Sequence, residues 1–176
     1  MRKLPAVIVL LSAAALVPAR LPAQLARRAP GFSLPDSRME LHDLADYRGK
    51  PVILEFMQTE CPHCEVLAGI LEKLRQKYGD KLAILAVCNP PDTQTTVGQF
   101  IAAHKIGYPI LFDSGQMAYS YVRSGRFTQP QIFLIDQQGM IRNQFSYGPN
   151  TLEIFEGNGL AAEVDRLLPP AAAPKK

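Results

Sequence analysis

The sequence predicts one α/β domain with a mainly parallel central sheet, and three features of the chain indicate it. Apolar runs at 52–56, 82–87 and 132–135 are typical of strands buried on both faces. Segments with helical periodicity separate these runs, which is the alternation that βαβ units require. The 176 residues show no internal repeat and suit a single domain.

The predicted order of elements ends in a hairpin and a final helix. Strand–helix alternation gives parallel strands with helices on both faces, and the hairpin adds antiparallel strands, so the sheet is mixed. Asn150 and Glu153 match a capping box for the last helix, which Gly157 and Gly159 interrupt. The predicted elements are an extended segment at 27–36, a turn at 41–47, strand 52–56, helix 62–78, strand 82–87, helix 95–104, strand 109–112, helix 116–121, strands 130–135 and 140–145, and helix 150–168.

The first residues have the layout of a secretory signal peptide. Two basic residues precede an apolar run at 4–17, and Ala19 or Ala23 provides a small residue for cleavage. The run is short for a membrane span, which needs about 20 residues. We therefore expect residues 1–23 to be a cleaved leader, with an uncleaved N-terminal anchor as the alternative.

The mature part is expected to be one domain at 27–168, followed by a disordered Pro/Ala/Lys tail at 169–176. The net charge is only +3, and no long basic stretch lies in the middle of the chain. Nucleic acid is therefore not an expected partner.

The chain has three cysteines, and two of them form a close pair. In an exported protein of this size, Cys61 and Cys64 suggest a working disulfide, because a domain this large does not need disulfides to fold. A stable structural bridge is the alternative, although a two-residue loop gains little from closure. Cys88 ends an apolar strand and is expected to be a small buried hydrophobe.

Zinc is the main chemical alternative for the pair. Structural zinc usually has four ligands, often from two such pairs. Beyond the pair, the ligands available are Cys88 and three histidines in separate elements, so we expect no metal. His42 and His104 are expected at the surface without a role; the third histidine is His63.

The pair lies where a buried strand passes into a helix. Pro62 suits the first helical position, which places Cys61 at the N-cap and Cys64 one turn in. The helix N-terminus favours a thiolate at Cys61, and His63 adds positive charge when protonated. We expect Cys61 to attack a partner disulfide and the more buried Cys64 to resolve the mixed disulfide. The helix should bury an apolar face made of Val66, Leu67, Ile70, Leu71, Leu74 and Tyr78.

Several segments around this pair follow one family pattern. They are Ala29-Pro30-Gly31-Phe32-Ser33-Leu34-Pro35-Asp36, Tyr47-Arg48-Gly49-Lys50-Pro51, Cys61-Pro62-His63-Cys64, and Phe133-Leu134-Ile135-Asp136 with Gly139. Together they resemble the thioredoxin superfamily, in its exported redoxin branch of the TlpA/ResA type, related to the AhpC/TSA proteins. The resemblance covers most of the mature chain. It implies a thioredoxin-like fold and thiol–disulfide oxidoreductase activity without a cofactor.

The resemblance also implies roles for two further residues. Pro130 matches the family's cis-proline, which lies against the cysteine pair and helps to hold the partner chain. Glu55 matches a buried carboxylate that relays a proton to or from the second cysteine. Because Glu55 interrupts an apolar strand, we expect it to be desolvated with a raised pKa; the alternative is that it reaches water at the strand end.

Three departures from the pattern leave the direction of electron flow open. Glu60 stands where relatives often carry Trp, and its charge opposes that of His63. Gln129 precedes Pro130, where many relatives carry Thr or a branched apolar residue. The Pro-His filling resembles the oxidising DsbA type, whereas the surrounding domain resembles reductants.

Other functions on the same fold remain alternatives. A peroxiredoxin-type peroxidase would carry Thr three residues before its cysteine with a Pro nearby, whereas Thr59 is two residues before Cys61 and Met57-Gln58 lacks the Pro. A copper chaperone would have three residues between its cysteines and a His near the cis-proline, and 124–136 contains none. A redox-silent interaction module is the third alternative.

The expected partners are exported proteins with cysteine pairs or disulfides, and an upstream membrane or periplasmic redox donor or acceptor. The chain is expected to be a periplasmic or otherwise extracytoplasmic monomer. Tyr119, Tyr121 and Phe127 either pack as ordinary aromatics or border a peptide groove.

Overall fold

A computed structural model describes residues 27–123 and 127–168. The predicted leader at 1–23 and the predicted tail at 169–176 lie outside the described residues. Within these residues, no helix combines the length and apolar character that crossing a membrane requires. The strands are β1 (Arg27–Arg28), β2 (Ser33–Pro35), β3 (Leu41–Asp43), β4 (Val52–Phe56), β5 (Ala83–Cys88), β6 (Ile110–Phe112), β7 (Gln131–Ile135) and β8 (Met140–Ser146); the α-helices are α1 (Pro62–Tyr78), α2 (Gln94–His104), α3 (Gln116–Val122), α4 (Leu152–Phe155) and α5 (Gly159–Leu167).

The central sheet is six-stranded and mixed, as the sequence predicts. Its strand order is β1-β8-β7-β4-β5-β6. β4, β5 and β6 run parallel, while β7 pairs antiparallel with both β4 and β8. β2 and β3 form a separate two-stranded hairpin. β4 therefore lies inside the sheet with a neighbour on each side, and all five of its residues are buried.

Alternate residues of the strands face two separate apolar cores, because successive side chains of a strand point to opposite faces. One core lies under α1, α2, α4 and α5 and receives Ile53, Ala86 and Leu134. The other lies under α3 and receives Leu54 and Phe133. Helices thus cover both faces, which confirms the predicted layering.

α1 begins and ends as its sequence predicts. Cys61 is its N-cap, Pro62 occupies its first position, and Gly79 is its C-cap with φ of 51°, a conformation that favours glycine. One detail of its apolar face is wrong. Val66 is 48% exposed, and Ala68 occupies the buried stripe beside Leu67 and Leu71 instead.

The predicted capping box at the C-terminal helix is also wrong. α4 has Thr151 as its N-cap, and no side chain caps it. The carboxylate of Glu153 instead accepts a hydrogen bond from the backbone N–H of Asn158, at 2.9 Å. This contact joins α4 to the start of α5, so the segment with Gly157 and Gly159 forms two short helices rather than one interrupted helix.

Substitution of Phe133 tests the packing of the core under α3. It is fully buried, and its ring packs edge-on against Phe56 at 5.8 Å and Tyr121 at 5.1 Å between centroids. We expect Phe133→Ala to lower the free energy of unfolding by about 3–5 kcal/mol, because it removes buried surface and leaves a cavity. Urea unfolding of the reduced protein measures this. The control is Tyr119→Ala, whose side chain is 85% exposed, with a change within about 0.5 kcal/mol. Equal losses in both variants would contradict this packing.

Candidate active site

The cysteine pair lies at the carboxyl end of β4, in the middle of the sheet. After β4 the chain is held to β5 by the Met57 N–H, which donates to the Val87 carbonyl at 2.9 Å. It then turns into α1 at Cys61. Both cysteines are free thiols; Cys61 is partly exposed and Cys64 is 1% exposed. The exposure of the first and burial of the second follow the expected division of roles.

The N-cap geometry directs backbone donors at Cys61. Its sulfur accepts a hydrogen bond from the Cys64 N–H at 3.4 Å. Its carbonyl accepts from the N–H groups of Cys64 and Glu65, at 3.0 and 3.1 Å. A thiolate at this position gains from the free N–H groups and the partial positive charge of the helix N-terminus. This geometry suits the nucleophilic role expected of Cys61.

The segment before β7 lies directly against this cysteine. The Gln129–Pro130 peptide bond is cis, as the resemblance implies, and Pro130 is buried. The Cys61 sulfur lies 3.9 Å from the Gln129 carbonyl oxygen. The Gln129 side-chain amide donates to the Met57 carbonyl at 3.1 Å, which ties this segment to the chain leaving β4. Cys61, Gln129 and Pro130 thus form one surface.

Asp92 anchors the loop that carries Cys61, and the sequence analysis missed it. The Asp92 carboxylate accepts hydrogen bonds from both the backbone N–H and the hydroxyl of Thr59, the N–H at 3.1 Å. Thr93, the next residue, caps α2 with a reciprocal Thr93–Thr96 capping box. The start of α2 is therefore fixed by its own cap while Asp92 holds the loop before the nucleophile.

The side chain of His63 is 46% exposed and contacts two residues that follow β8. Its ring stacks on that of Tyr147, with centroids 3.9 Å apart. Its Nδ1 lies 3.4 Å from the Glu156 carboxylate, which also accepts a hydrogen bond from the Tyr147 hydroxyl at 2.7 Å. That hydrogen bond raises the pKa of Tyr147 to about 12. The positive charge that His63 carries when protonated therefore lies beside a carboxylate.

Glu55 lies inside the protein beneath α1. It is 1% exposed, and burial raises its pKa from 4.5 to about 8. Neither carboxylate oxygen has a hydrogen-bond partner among the described residues. The alternative that Glu55 reaches water at the strand end is therefore wrong. A carboxyl group that titrates near neutrality is suited to general acid–base work.

Cys64 faces the same interior and is a poor thiolate without help. Burial raises the pKa of its thiol well above the usual range, and the negative charge of Glu55 and the contact with Cys61 raise it further. Because the thiolate and not the thiol is the nucleophile, resolution by Cys64 requires a base at its side. Glu55 is the carboxylate whose charge acts on it.

Tyr108 is a second polar residue in this interior that sequence reasoning missed. It is 5% exposed, it belongs to the same core as Cys64, and its hydroxyl has no partner among the described residues. Burial raises its pKa well above the usual value, with the charges of Glu55, Glu72 and Cys64 acting in the same direction. Its position before Pro109 gives no signal of this in the sequence.

A family model described as the AhpC/TSA family matches residues 25–144, which is more than half of the chain. The chain belongs to the AhpC/TSA family. Thioredoxin-like protein YneN of Bacillus subtilis is 31% identical over 122 residues, 68% of this chain and 70% of that protein. Thiol-disulfide oxidoreductase ResA of Bacillus anthracis is 30% identical over 134 residues, 76% of each chain.

Solved structures of thiol–disulfide proteins share the fold of this chain. A crystal structure described as a DsbE-type thiol:disulfide interchange protein from Chlorobium tepidum superimposes with a TM-score of 0.65 at 27% identity, covering 78% of this chain and 96% of that one. A thiol-disulfide oxidoreductase from Bacteroides fragilis shares the fold, with a TM-score of 0.65 at 21% identity. The thioredoxin-like fold and the thiol–disulfide oxidoreductase activity predicted from the sequence are confirmed.

Within the AhpC/TSA family, these relatives do not favour the peroxidase or copper-chaperone alternatives. The hydrogen bonds of Thr59 agree with this for the peroxidase. A peroxidatic thiolate needs donors that activate it, and the Thr59 hydroxyl donates to Asp92 instead.

The remaining candidate residues contribute to packing. Cys88 is fully buried, its sulfur lies 3.5 Å from the Leu111 carbonyl oxygen, and burial raises its pKa to about 12, as expected of a buried small residue. His104 is half-buried against Phe100. Tyr121 packs in the core with its hydroxyl on the Pro30 carbonyl, at 2.7 Å.

The expectation that His42 lies free at the surface is wrong. Its ring lies between Tyr47, 2.7 Å from the hydroxyl, and Asp36, 3.4 Å from a carboxylate oxygen. Asp36, Glu40 and His42 also place one ligand atom each within 4.8 Å of one another. The same Asp36 accepts from the backbone N–H groups of Arg38 and Glu40, so it is already used to hold the β2–β3 turn.

The raised pKa of Glu55 predicts how stability changes with pH. In the unfolded chain this carboxyl has its ordinary pKa of 4.5, and in the folded protein about 8. The contribution of the protonated carboxyl to the free energy of unfolding is therefore fully present below about pH 4.5 and is lost as the pH rises through about 8. We expect Glu55→Gln to match the native protein at low pH and to exceed it at pH 9 by up to roughly 5 kcal/mol in free energy of unfolding.

Urea unfolding of the reduced proteins at pH 4.5, 7 and 9 measures the difference. Glu65→Gln, an exposed change in the first turn of α1, is the control and should shift stability by less than about 0.5 kcal/mol throughout. A Glu55→Gln difference that stays constant over this pH range would show that the folded protein does not hold the carboxyl protonated.

Proposed function

We propose that the protein exchanges the Cys61–Cys64 dithiol with the disulfides of exported proteins, through a mixed disulfide on Cys61. The observation that carries this is the arrangement of the pair. The accessible thiol caps α1 beside the cis-proline segment, while the buried thiol faces a carboxyl that titrates near neutrality. The partners are exported proteins with cysteine pairs or disulfides, and the protein acts without a cofactor or a metal.

The exchange runs in two displacements. The Cys61 thiolate attacks one sulfur of the partner disulfide, which forms a mixed disulfide and releases the partner's other sulfur as a thiolate that takes up a proton. Glu55 then takes the proton of Cys64, and the Cys64 thiolate attacks the Cys61 sulfur. The partner leaves fully reduced with two thiols, and this protein is left with the Cys61–Cys64 disulfide.

Gln129 and Pro130 suit the task of holding the partner during this exchange. The backbone carbonyl of Gln129 lies beside the sulfur of Cys61. The side-chain amide of Gln129 donates a hydrogen bond to the Met57 carbonyl, which fixes the Gln129 side chain. A partner chain laid along this segment would place its disulfide against Cys61. The site is therefore built for a polypeptide rather than for a small peroxide.

An extracytoplasmic location fits this activity. The leader predicted at 1–23 supports it, and disulfide exchange with protein partners belongs to oxidising compartments. An upstream membrane or periplasmic donor then restores the dithiol. The protein is proposed to work as a monomer.

The charges around Cys61 favour the reducing direction. A thiolate stabilised by unpaired positive charge makes a disulfide more oxidising. Here the His63 imidazole lies beside the Glu156 carboxylate, and Glu60 adds a further negative charge directly before Cys61. The positive charge that a Pro-His filling supplies is therefore offset, and we assign the protein to the removal of disulfides.

The reduction potential of the pair tests this direction. We expect about −230 mV or lower, the range of reductants, for the domain without its leader in glutathione buffers, read by thiol alkylation. A value near −120 to −180 mV, the range of dedicated oxidants, would reverse the assignment. If no reversible disulfide forms at any redox potential of the glutathione buffer, the exchange proposal is wrong. Titration with Cu(I) would then test metal binding.

Cysteine substitutions test the division of roles. Cys64→Ser should accumulate the mixed disulfide with a partner, because nothing resolves it, and Cys61→Ser should form none. Non-reducing gels after incubation with a disulfide-bonded partner distinguish the two variants. The matched control is Cys88→Ala, which removes a thiol that is fully buried and should keep full exchange activity. If the Cys61→Ser variant accumulated the mixed disulfide instead, Cys64 would be the attacking cysteine and Cys61 the resolving one.

A further inference from the structure

Two buried polar groups without partners lie in the same core, and the exchange described above uses only one of them. The Tyr108 hydroxyl and both carboxylate oxygens of Glu55 are buried and have no hydrogen-bond partner among residues 27–123 and 127–168. Buried polar groups are satisfied in most proteins, and an unsatisfied one in a native structure calls for an explanation. A hydroxyl that only packed there would cost stability, and Phe would fill the same place without that cost.

The register of the sheet places both groups under α1. Glu55 pairs with Ala86 of β5, and Ala86 pairs with Ile110 of β6, so the three side chains share one face. Tyr108 is two residues before Ile110 and belongs to the same core as Cys64. Ala86 of β5 lies between Glu55 and Ile110 on this face, and the charge of Glu55 contributes to the raised pKa of Tyr108, which places the two groups near each other.

The loop that carries Tyr108 is fastened to a carboxylate near the surface. Glu72 of α1 accepts a hydrogen bond from the Gly107 N–H at 3.0 Å and from the Arg75 guanidinium. Its side chain is 13% exposed. The charges of Glu55, Glu72 and Cys64 all raise the pKa of Tyr108, so its hydroxyl lies within electrostatic reach of the buried Glu55 and Cys64 and of the partly exposed Glu72.

Other titratable groups do not offer a second line on this face. On β5 the same face carries Cys88, whose thiol is directed at the Leu111 carbonyl. On β7 it carries Ile132 and Leu134, which are apolar. Among the described residues, the charge of Glu55 acts on the pKa of Cys64 of α1 and of Tyr108 before β6, and Glu72 acts on Tyr108.

We propose that Tyr108 conducts the proton that Glu55 takes from Cys64, passing it toward Glu72 and the solvent. A hydroxyl donates and accepts at once, so it can give its proton on one side while receiving another from the Glu55 carboxyl through a bridging water. After the transfer Glu55 is again a carboxylate and Tyr108 is again neutral. No electrons move, and the one proton from Cys64 leaves to solvent. Tyr108 acts through Glu55 and is a positioning residue for the resolving step; the inference rests on the proposed function.

Tyr108→Phe tests this with little risk to the fold, because it removes only a hydroxyl that has no partner. The measurement is the rate at which Cys64 resolves a preformed Cys61–glutathione mixed disulfide, followed from pH 5 to pH 9. We expect at least a threefold slower rate at pH 7 in Tyr108→Phe, with an unchanged reduction potential. The slowing should disappear in a Glu55→Gln background, since the hydroxyl then has no proton to carry.

Two further variants make the result decisive. Tyr78→Phe is the matched control, because the Tyr78 hydroxyl donates to Asp165 and lies on the far part of α1; its rate should equal that of the native protein. Glu72→Gln should also slow resolution, and it stands in for Tyr108→Phe if that variant does not fold. A native rate in Tyr108→Phe at every pH, or the same slowing with and without Glu55, overturns the proton path.

Failure of the proton path is distinguishable from failure of the proposed function. If the native protein forms the mixed disulfide and resolves it while Tyr108→Phe behaves identically, only the path is wrong. If the native protein does not resolve the mixed disulfide at all, the exchange cycle itself is wrong and the path falls with it.

Discussion

The position of β4 in the centre of the sheet is the constraint on which the site depends. β4 is paired along its whole length with β5 on one side and β7 on the other, so its carboxyl end cannot shift. That end delivers Glu55 to the face under α1 and, five residues after the strand, Cys61 to the helix N-terminus. β7 returns beside it and brings Pro130 to the same edge. One strand thus fixes the proposed proton acceptor Glu55, the proposed nucleophile Cys61 and the cis-proline segment beside them.

Burying a carboxyl in this centre is tolerable only in its protonated form, and this links stability to chemistry. An isolated charge in an apolar interior is costly, so the group holds its proton to a pH near 8. The same burial suppresses the thiolate of Cys64. Both groups therefore favour their protonated, neutral forms, and Glu55 can take the proton of Cys64 only after it has lost its own. In the exchange proposed above, the resolving step uses this pair, which gives a reason for a destabilising pair in the core.

Local sequence predicts much of the fold and of the candidate site. The features that it does not predict depend on contacts between segments that are distant in the chain. The N-cap at Cys61 follows from an apolar strand, a Pro at the first helical position and helical periodicity after it, which are all local. The burial of Glu55 follows from an acid inside an apolar run. Val66 shows the limit of periodicity, since an apolar residue at the edge of a stripe remains 48% exposed.

The missed residues share a cause. Asp92 holds Thr59 across 33 positions of sequence, and Tyr108 shares a core with Glu55 only because the strand order places β6 two strands from β4. Neither residue stands in a motif, because a carboxylate that accepts from a loop or a hydroxyl in a core has no required spacing. Such contacts appear only when the register of the sheet is known.

The contact between His63 and Glu156 shows why a motif does not set redox direction by itself. The Pro-His filling supplies a cation next to the nucleophile, and its effect depends on whether that charge stays unpaired. Here α4 brings a carboxylate to 3.4 Å from the ring, and Tyr147 both stacks on the ring and donates to the same carboxylate. Tyr147 is in turn held by its N–H to the Pro130 carbonyl, at 3.1 Å. The cis-proline segment therefore holds Tyr147, which holds the Glu156 carboxylate beside His63. The segment that contacts Cys61 and the charge beside His63 are thus linked.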